Sequence, residues 1–264
     1  MKRSLLILLI LSFNLFGAFE LQQLNSEIIG NGGICSLHPF GNNPAVFSTD
    51  HKISFTSNYT NLFGIKDLHC WDFGMHYNLN DNNSILIKSN SVGDKVYHEN
   101  TFNIGYSWRL NIPVSIGISL SYYNLSVEKF ETENSFGLSA GICYFLNEQV
   151  TMSTLFGNVN RPKICKNEEL LPEYFAFGVK WQINRFFELN SELFKDTLYP
   201  FNSRFGTKVN LYRNIQFFTG IQTNPDRFSG GVAIQMFNIK FISSLQTHLK
   251  LPHTYYIGCQ FYLK

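Results

Sequence analysis

Apolar and small polar residues alternate with period two along most of the chain after residue 50. Phe102, Ile104, Tyr106, Trp108 and Leu110 interleave with Thr101, Asn103, Gly105, Ser107 and Arg109, and Val114 to Tyr122 continues the pattern through Ser115, Gly117, Ser119 and Ser121. Trp71 to Leu79 and Phe136 to Leu146 read the same way. Successive side chains on a strand point to opposite faces, so each run predicts a strand with one greasy, aromatic face and one small or polar face. Fourteen such strands are predicted, at 51–59, 68–79, 83–90, 100–110, 114–125, 135–146, 150–157, 173–183, 186–195, 203–211, 215–222, 228–236, 239–246 and 254–263.

The connections sort by parity. Those after even strands are short (80–82, 111–113, 147–149, 184–185, 212–214, 237–238), whereas those after odd strands are mostly longer, the longest running from Asn158 to Pro172. Outer-membrane barrels show this alternation of short periplasmic turns and longer outer loops, with an even strand count. Closure removes the unpaired edges that hydrocarbon does not tolerate. A soluble sandwich would cover its second face with charge; here that face is Gly, Ser, Thr and Asn, which suits a lumen. The fold class expected is therefore all-β, a transmembrane antiparallel barrel of about 14 strands. It would lie in the outer membrane of a diderm bacterium with the N-terminus periplasmic. Tyr59, Trp71, Trp108, Tyr122, Tyr144 and Trp181, near strand ends, fit interfacial girdles.

Composition agrees. Only 15% of the 264 residues are charged, against 44% hydrophobic, with 26 Phe and 13 Tyr; soluble domains carry about 25% charge. The mixture excludes disorder, coiled coil and a basic nucleic-acid binder. Lys2 and Arg3 ahead of the apolar run Leu5 to Leu11, with Ala18 beyond, describe a secretory signal over 1–18, too short for the roughly 20 residues of a spanning helix. Its removal takes Lys plus Arg from 21 to 19, equal to the 19 acids, so the basic balance says nothing about partners. Five scattered cysteines without a CxxC are read as free or as forming one bridge at most. The organisation expected is a signal at 1–18, a plug or lead-in at 19–50 and a barrel at 51–264.

Residues 30–50, GNGGICSLHPFGNNPAVFSTD, break the alternation. With Gly30, Gly32-Gly33 and Asn43-Pro44-Ala45 they resemble the glycine-rich, NPA-containing lead-in of outer-membrane proteins of the FadL-like group, especially its PorV/PorQ-type branch. Near the C-terminus, Phe228 to Val232, Thr247-His248 and Leu251 to Thr254 are similar too, although Lys250-Leu251-Pro252 departs from the branch. The resemblance implies a hatch at or within the barrel, with Gly32, Gly33, Asn43, Pro44 and Ala45 as its motif. Pro44 would fix its local backbone angle and Asn43 would bond its own turn.

Candidate chemistry is thin. Gly137-Leu138-Ser139-Ala140-Gly141 matches the GxSxG elbow, but that motif needs a strand-to-helix turn, and here it lies inside an alternating strand. His69, His76 and His98 lack a metal spacing, and neither a catalytic residue, a cofactor nor a metal is expected. The informative charges are Glu188 and Glu192 on one strand and Arg204 and Lys208 on the next, all on the polar faces, where antiparallel pairing sets acids beside bases. They read as a structural ion ladder or as a selectivity or ligand site. Asp72, Arg109 and Lys180 are predicted to face the same lumen.

The function expected is non-enzymatic. The resemblance implies a conduit for small apolar compounds opened by displacing the hatch; the alternative it implies is a secretion or surface-assembly module with an exported protein partner. Partners beyond outer-membrane lipid are thus a small hydrophobic ligand or that protein. An outer-membrane enzyme would need a triad or carboxylate pair, which the sequence lacks.

Overall fold

A computed structural model describes residues 17–21, 23–47, 51–165, 169–197, 199–212 and 214–263. The signal-peptide reading of 1–18 lies almost wholly outside these residues, as does the end of the lead-in at 48–50. Among the described residues before the barrel there is one short helix, α1 (Ser26–Gly30). The strands are β1 (Ile53–Asn61), β2 (His69–Asn80), β3 (Asn83–Gly93), β4 (Tyr97–Arg109), β5 (Val114–Val127), β6 (Glu133–Phe145) and β7 (Val150–Gly157). After a two-stranded hairpin, β8 (Lys163–Ile164) with β9 (Glu169–Leu170), come β10 (Tyr174–Gln182), β11 (Phe187–Asp196), β12 (Asn202–Tyr212) and β13 (Ile215–Gln222). The last three are β14 (Arg227–Met236), β15 (Ile239–Gln246) and β16 (Thr254–Leu263).

All but the small hairpin form one closed, antiparallel, up-and-down barrel of fourteen strands, sealed where β1 pairs with β16 from Ile53↔Leu263 to Thr60↔Tyr256. Its surface is inside-out. Phe73, Trp108, Ile118, Phe136 and Phe205 are exposed outward, while Ser54, Thr56, Asn58, Asp72, Ser119 and Glu192 are buried inward. An outer face of this kind suits hydrocarbon and a polar interior suits a lumen.

The expected strands are all present. Two hairpins run further than the alternation indicated: β3 and β4 stay paired to Gly93↔His98, and β5 and β6 to Leu125↔Glu133. Backbone pairing needs no apolar face once the strands rise past the greasy band, so the ladder continues through Asn, Glu and His. The longest connection, read as a plain loop, folds back on itself as β8–β9. All five cysteines are free.

Residues 17–47 touch strands all round the wall, so they lie within the barrel. Val46 O is 3.2 Å from His76 Nε2 and Ala45 O accepts from Ser115 Oγ at 2.7 Å, both at the short-turn end. Ala18 N donates to Glu169 Oε1 and Glu20 Oε2 accepts from Tyr199 OH, both at the long-loop end. The first strand therefore starts at the short-turn rim, while the described beginning of the chain sits at the opposite rim.

Candidate functional site

The lumen is a meeting of two polar surfaces, the inner wall and residues 17–47. Helix α1 starts because Asn25 caps it, accepting from Glu27 N at 3.1 Å and Ile28 N at 3.3 Å; such a cap satisfies two otherwise orphaned donors. The wall reaches the same turn through Asn58 Oδ1, which accepts from Ser26 N at 3.0 Å.

Glu27, 3% exposed, is a buried carboxylate bonded to the wall from three strands. Lys208 Nζ lies 2.7 Å from its Oε1, Lys240 Nζ 2.8 Å and Gln260 Nε2 3.2 Å from its Oε2, and His38 Nε2 3.6 Å away. Burial pushes its carboxyl up, but Lys208, Lys240 and His38 together hold it well below the ordinary 4.5. His38 is itself pushed below 6.5, by burial first, with the pull of Glu27 in the other direction overcome.

Past α1 the chain reverses at Gly32 (φ +79) and Gly33 (φ +76), angles that β-carbon-bearing residues rarely adopt. A side chain at Gly32 would also meet Phe205 O at 2.7 Å. Arg204 Nη1 donates to Gly33 O at 2.7 Å and to Glu192 Oε1 at 2.8 Å. The other Glu192 oxygen accepts from Cys35 N at 3.0 Å and Ser36 N at 2.7 Å. Here the wall supplies the acid and the segment supplies backbone donors. Burial, with Glu192 nearby, pushes the Cys35 thiol up to about 12, so it is no thiolate nucleophile.

At Asn43-Pro44-Ala45 close steric fit adds to the hydrogen bond that Ser115 Oγ gives Ala45 O. Asn43 Oδ1 accepts from Ala45 N at 3.0 Å, an Asx turn, and its Nδ2 donates to Ser36 O at 3.0 Å. Gly117 and Gly141 leave the room: β-carbons there would collide with Pro44 and Asn43 respectively. Lys88 Nζ donates to Gly41 O and Asn42 Oδ1.

The charges picked out in the sequence all stand on the inner wall. Register pairs Glu188 with Lys208 and Glu192 with Arg204. Glu192 and Arg204 bond directly, whereas Glu188 Oε1 is 3.9 Å from Lys208 Nζ, which is committed to Glu27. Asp72 accepts from Asn58 Nδ2 at 2.8 Å. Arg109 covers the Phe47 ring at 4.8 Å. Lys180 stands opposite Asn190 and joins no ion pair among the described residues. Sequence reasoning missed Glu27, His38, Lys88 and Lys240. The same parity that marked Lys208 marks Lys240, between Ile239 and Phe241; Glu27 precedes any periodic pattern and carries no such signal.

The GxSxG serine, Ser139, lies within β6, and its hydroxyl accepts from Asn158 N at 3.3 Å. His69, His76 and His98 bond separately, to Tyr59 OH, Val46 O and Ser91 Oγ. Among the described residues no group of three or more His, Cys, Asp or Glu side chains is placed to hold a metal.

Neither a protein-family model nor a curated protein matches the sequence. Solved structures do. The toluene transporter TbuX of Ralstonia pickettii superposes with a TM-score of 0.67 at 10% identity, over 94% of this chain and 100% of its own. The toluene transporter TodX of Pseudomonas putida gives 0.64 at 10% identity, over 93% and 98%. A FadL homologue of Pseudomonas aeruginosa gives 0.62 at 10%, over 91% and 98%. At such identity the likeness is one of fold. A PorV- or PorQ-type protein is not among these three, and nothing in the likenesses points to an exported protein partner.

Proposed function

We propose that this chain is a non-enzymatic barrel of the outer membrane of a diderm bacterium, a conduit for small compounds that residues 17–47 close as a hatch. The short turns face the periplasm, so Ala18 and Phe19 meet the outer side. The observation that carries the reading is the kind of bonding that holds the segment: hydrogen bonds, ion pairs and close steric fit, which a ligand or a change of charge undoes without breaking the barrel ladder.

The cargo class follows from the outer end of the segment. Phe19, 6% exposed, sits in a cup with Tyr123, Leu125, Ile164 and Leu171, its ring 5.0 Å from that of Tyr123 and edge-on. A small apolar compound fits the same cup by replacing that ring, which favours the hydrophobic cargo implied by the FadL-like resemblance and parallels the toluene carried by two barrels of this fold. Passage then runs down the lumen or sideways into lipid.

The test is single-channel conductance and hydrophobic-dye uptake by refolded protein in planar bilayers and liposomes, with and without residues 19–50. Conductance or uptake that rises on deletion supports the conduit. A barrel equally closed in both forms overturns it.

A further inference from the structure

Beneath Phe19 the lumen changes character. A cavity of about 60 Å³ lies between Phe19, Leu21 and Asn42 on the segment and the inner wall of β3 to β6, with Asn158 and Tyr174 closing one side. Its walls are amides and hydroxyls, among them Asn90, Asn103, Ser119, Ser121 and Ser139. That space holds roughly four to six waters, or one solute of about as many heavy atoms.

Two groups in this cavity are incompletely matched. Ser119 is 6% exposed and its Oγ has no hydrogen-bond partner. Lys88, 5% exposed, gives its two hydrogen bonds to neutral oxygens, Gly41 O at 3.3 Å and Asn42 Oδ1 at 3.2 Å. Among the described residues it enters no ion pair. An ammonium has three donors, so one remains. The buried carboxylate of Asp72, on the neighbouring strand β2, acts on Lys88 from beyond ion-pair distance and offsets its charge only in part. With its hydrogen bonds all to neutral oxygens the ammonium is costly to bury, and an anion on its third donor is favoured.

The rest of the lining sets the ligand's polarity and size. Glu99, four residues before Asn103 on β4 and nearer the long-loop end, is the acid among the lining residues. Its Oε1 accepts from Phe19 N at 2.9 Å and Tyr97 OH at 2.5 Å, so a single negative group is welcome only at the Lys88 end. Lys88 pairs with Asn103, and Ser119 pairs with Gly105. The two backbones thus stand two strands and two residues apart, roughly 12 Å by ordinary strand spacing. The Lys88 side chain and a three-carbon acid together span that gap.

We propose that this cavity binds a small α-hydroxy carboxylate of two or three carbons, its carboxylate on Lys88 and its hydroxyl on Ser119. This goes beyond the conduit reading and does not depend on it, because binding is measured at equilibrium without transport.

The experiment is calorimetric titration of the refolded full-length barrel with lactate, against propionate, which lacks the hydroxyl, and 1,2-propanediol, which lacks the charge. Lactate should bind saturably, and propanediol should bind about tenfold or more weakly, the discrimination a charged hydrogen bond gives. Lys88→Gln should weaken lactate to the propanediol level. Ser119→Ala should bring lactate to propionate's affinity, and it decides the matter if Lys88→Gln does not fold. Absence of saturable lactate binding, or equal affinity for lactate and propanediol, overturns the proposal, as does lactate affinity unchanged in a folded Lys88→Gln or in Ser119→Ala. Dye uptake on deletion of 19–50 is untouched by any of these outcomes.

Discussion

Glu27 Oε1 and Lys208 Nζ lie 2.7 Å apart across 181 residues of chain. The contact clasps helix α1 to strand β12, and Lys240 and Gln260 extend the clasp to β15 and β16. On the adjacent strand the polarity is reversed: Glu192 of β11 receives the backbone donors of Cys35 and Ser36. Two buried carboxylates, one on each partner, thus hold the segment in register with the wall.

Glu27→Gln removes the charge that Lys208 and Lys240 share. Breaking one side of a buried pair costs about 3–5 kcal/mol because the remaining charges are left unmatched. The segment should dock more weakly while the barrel ladder stays intact. Conductance in planar bilayers should rise above wild type with unchanged heat-modifiable mobility. Conductance equal to wild type would mean that the clasp does not hold the lumen closed.

Acid should act in the same direction, and the sign follows from two shifts. Glu27 is held below its ordinary 4.5 when docked, so its contribution to docking is present in full above that value and is lost as pH falls through the docked value. His38 is also lowered when docked, from 6.5; the released segment binds that proton more readily, so docking weakens as pH falls below about 6.5. Conductance should therefore rise in two stages on acidification, beginning near pH 6.5 and continuing below pH 4.5. The variant His38→Gln should lose the first stage and keep the second.

Gly117→Ala tests the steric part alone. The added β-carbon would point into the lumen against Pro44 and leave the outer face and the register untouched. Protease accessibility of residues 17–47 should increase in the folded variant, with Gly141→Ala behaving alike through Asn43. Protection equal to wild type in both variants would show that the Asn43-Pro44-Ala45 turn has another resting place.

Much of this molecule was legible as alternation. Phe102 to Leu110 and Val114 to Tyr122 display the two faces residue by residue, and turn length separated the two rims. The pairing of Glu188 and Glu192 with Lys208 and Arg204 followed from strand adjacency. What parity could not supply was the partner that each inward group meets. Glu27 belongs to an aperiodic stretch, and its bond to Lys240 joins residues that no local rule connects. Lys88 was masked because Ile85, Leu86 and Ile87 run together, with Leu86 buried inward where a polar residue was expected. The direction of the segment was equally hidden: a chain whose first strand starts at the short-turn rim does not announce that Ala18 lies at the other.

The outer face gives the last prediction. Phe73 is 48% exposed on the apolar band and its ring lies 6.0 Å from that of Trp71, nearly parallel. Ser139, on the inner face, loses its bond from Asn158 N and its contact with the Tyr174 hydroxyl if its own hydroxyl is removed, both neutral. An arginine on the lipid face at mid-membrane costs roughly 2–4 kcal/mol, whereas each neutral hydrogen bond is worth about 1 kcal/mol. Phe73→Arg should therefore lower the yield of heat-modifiable folded barrel from lipid vesicles, and Ser139→Ala should leave it near wild type. The reverse order would place Phe73 away from hydrocarbon and Ser139 against it, and the inside-out assignment of both faces would fail together.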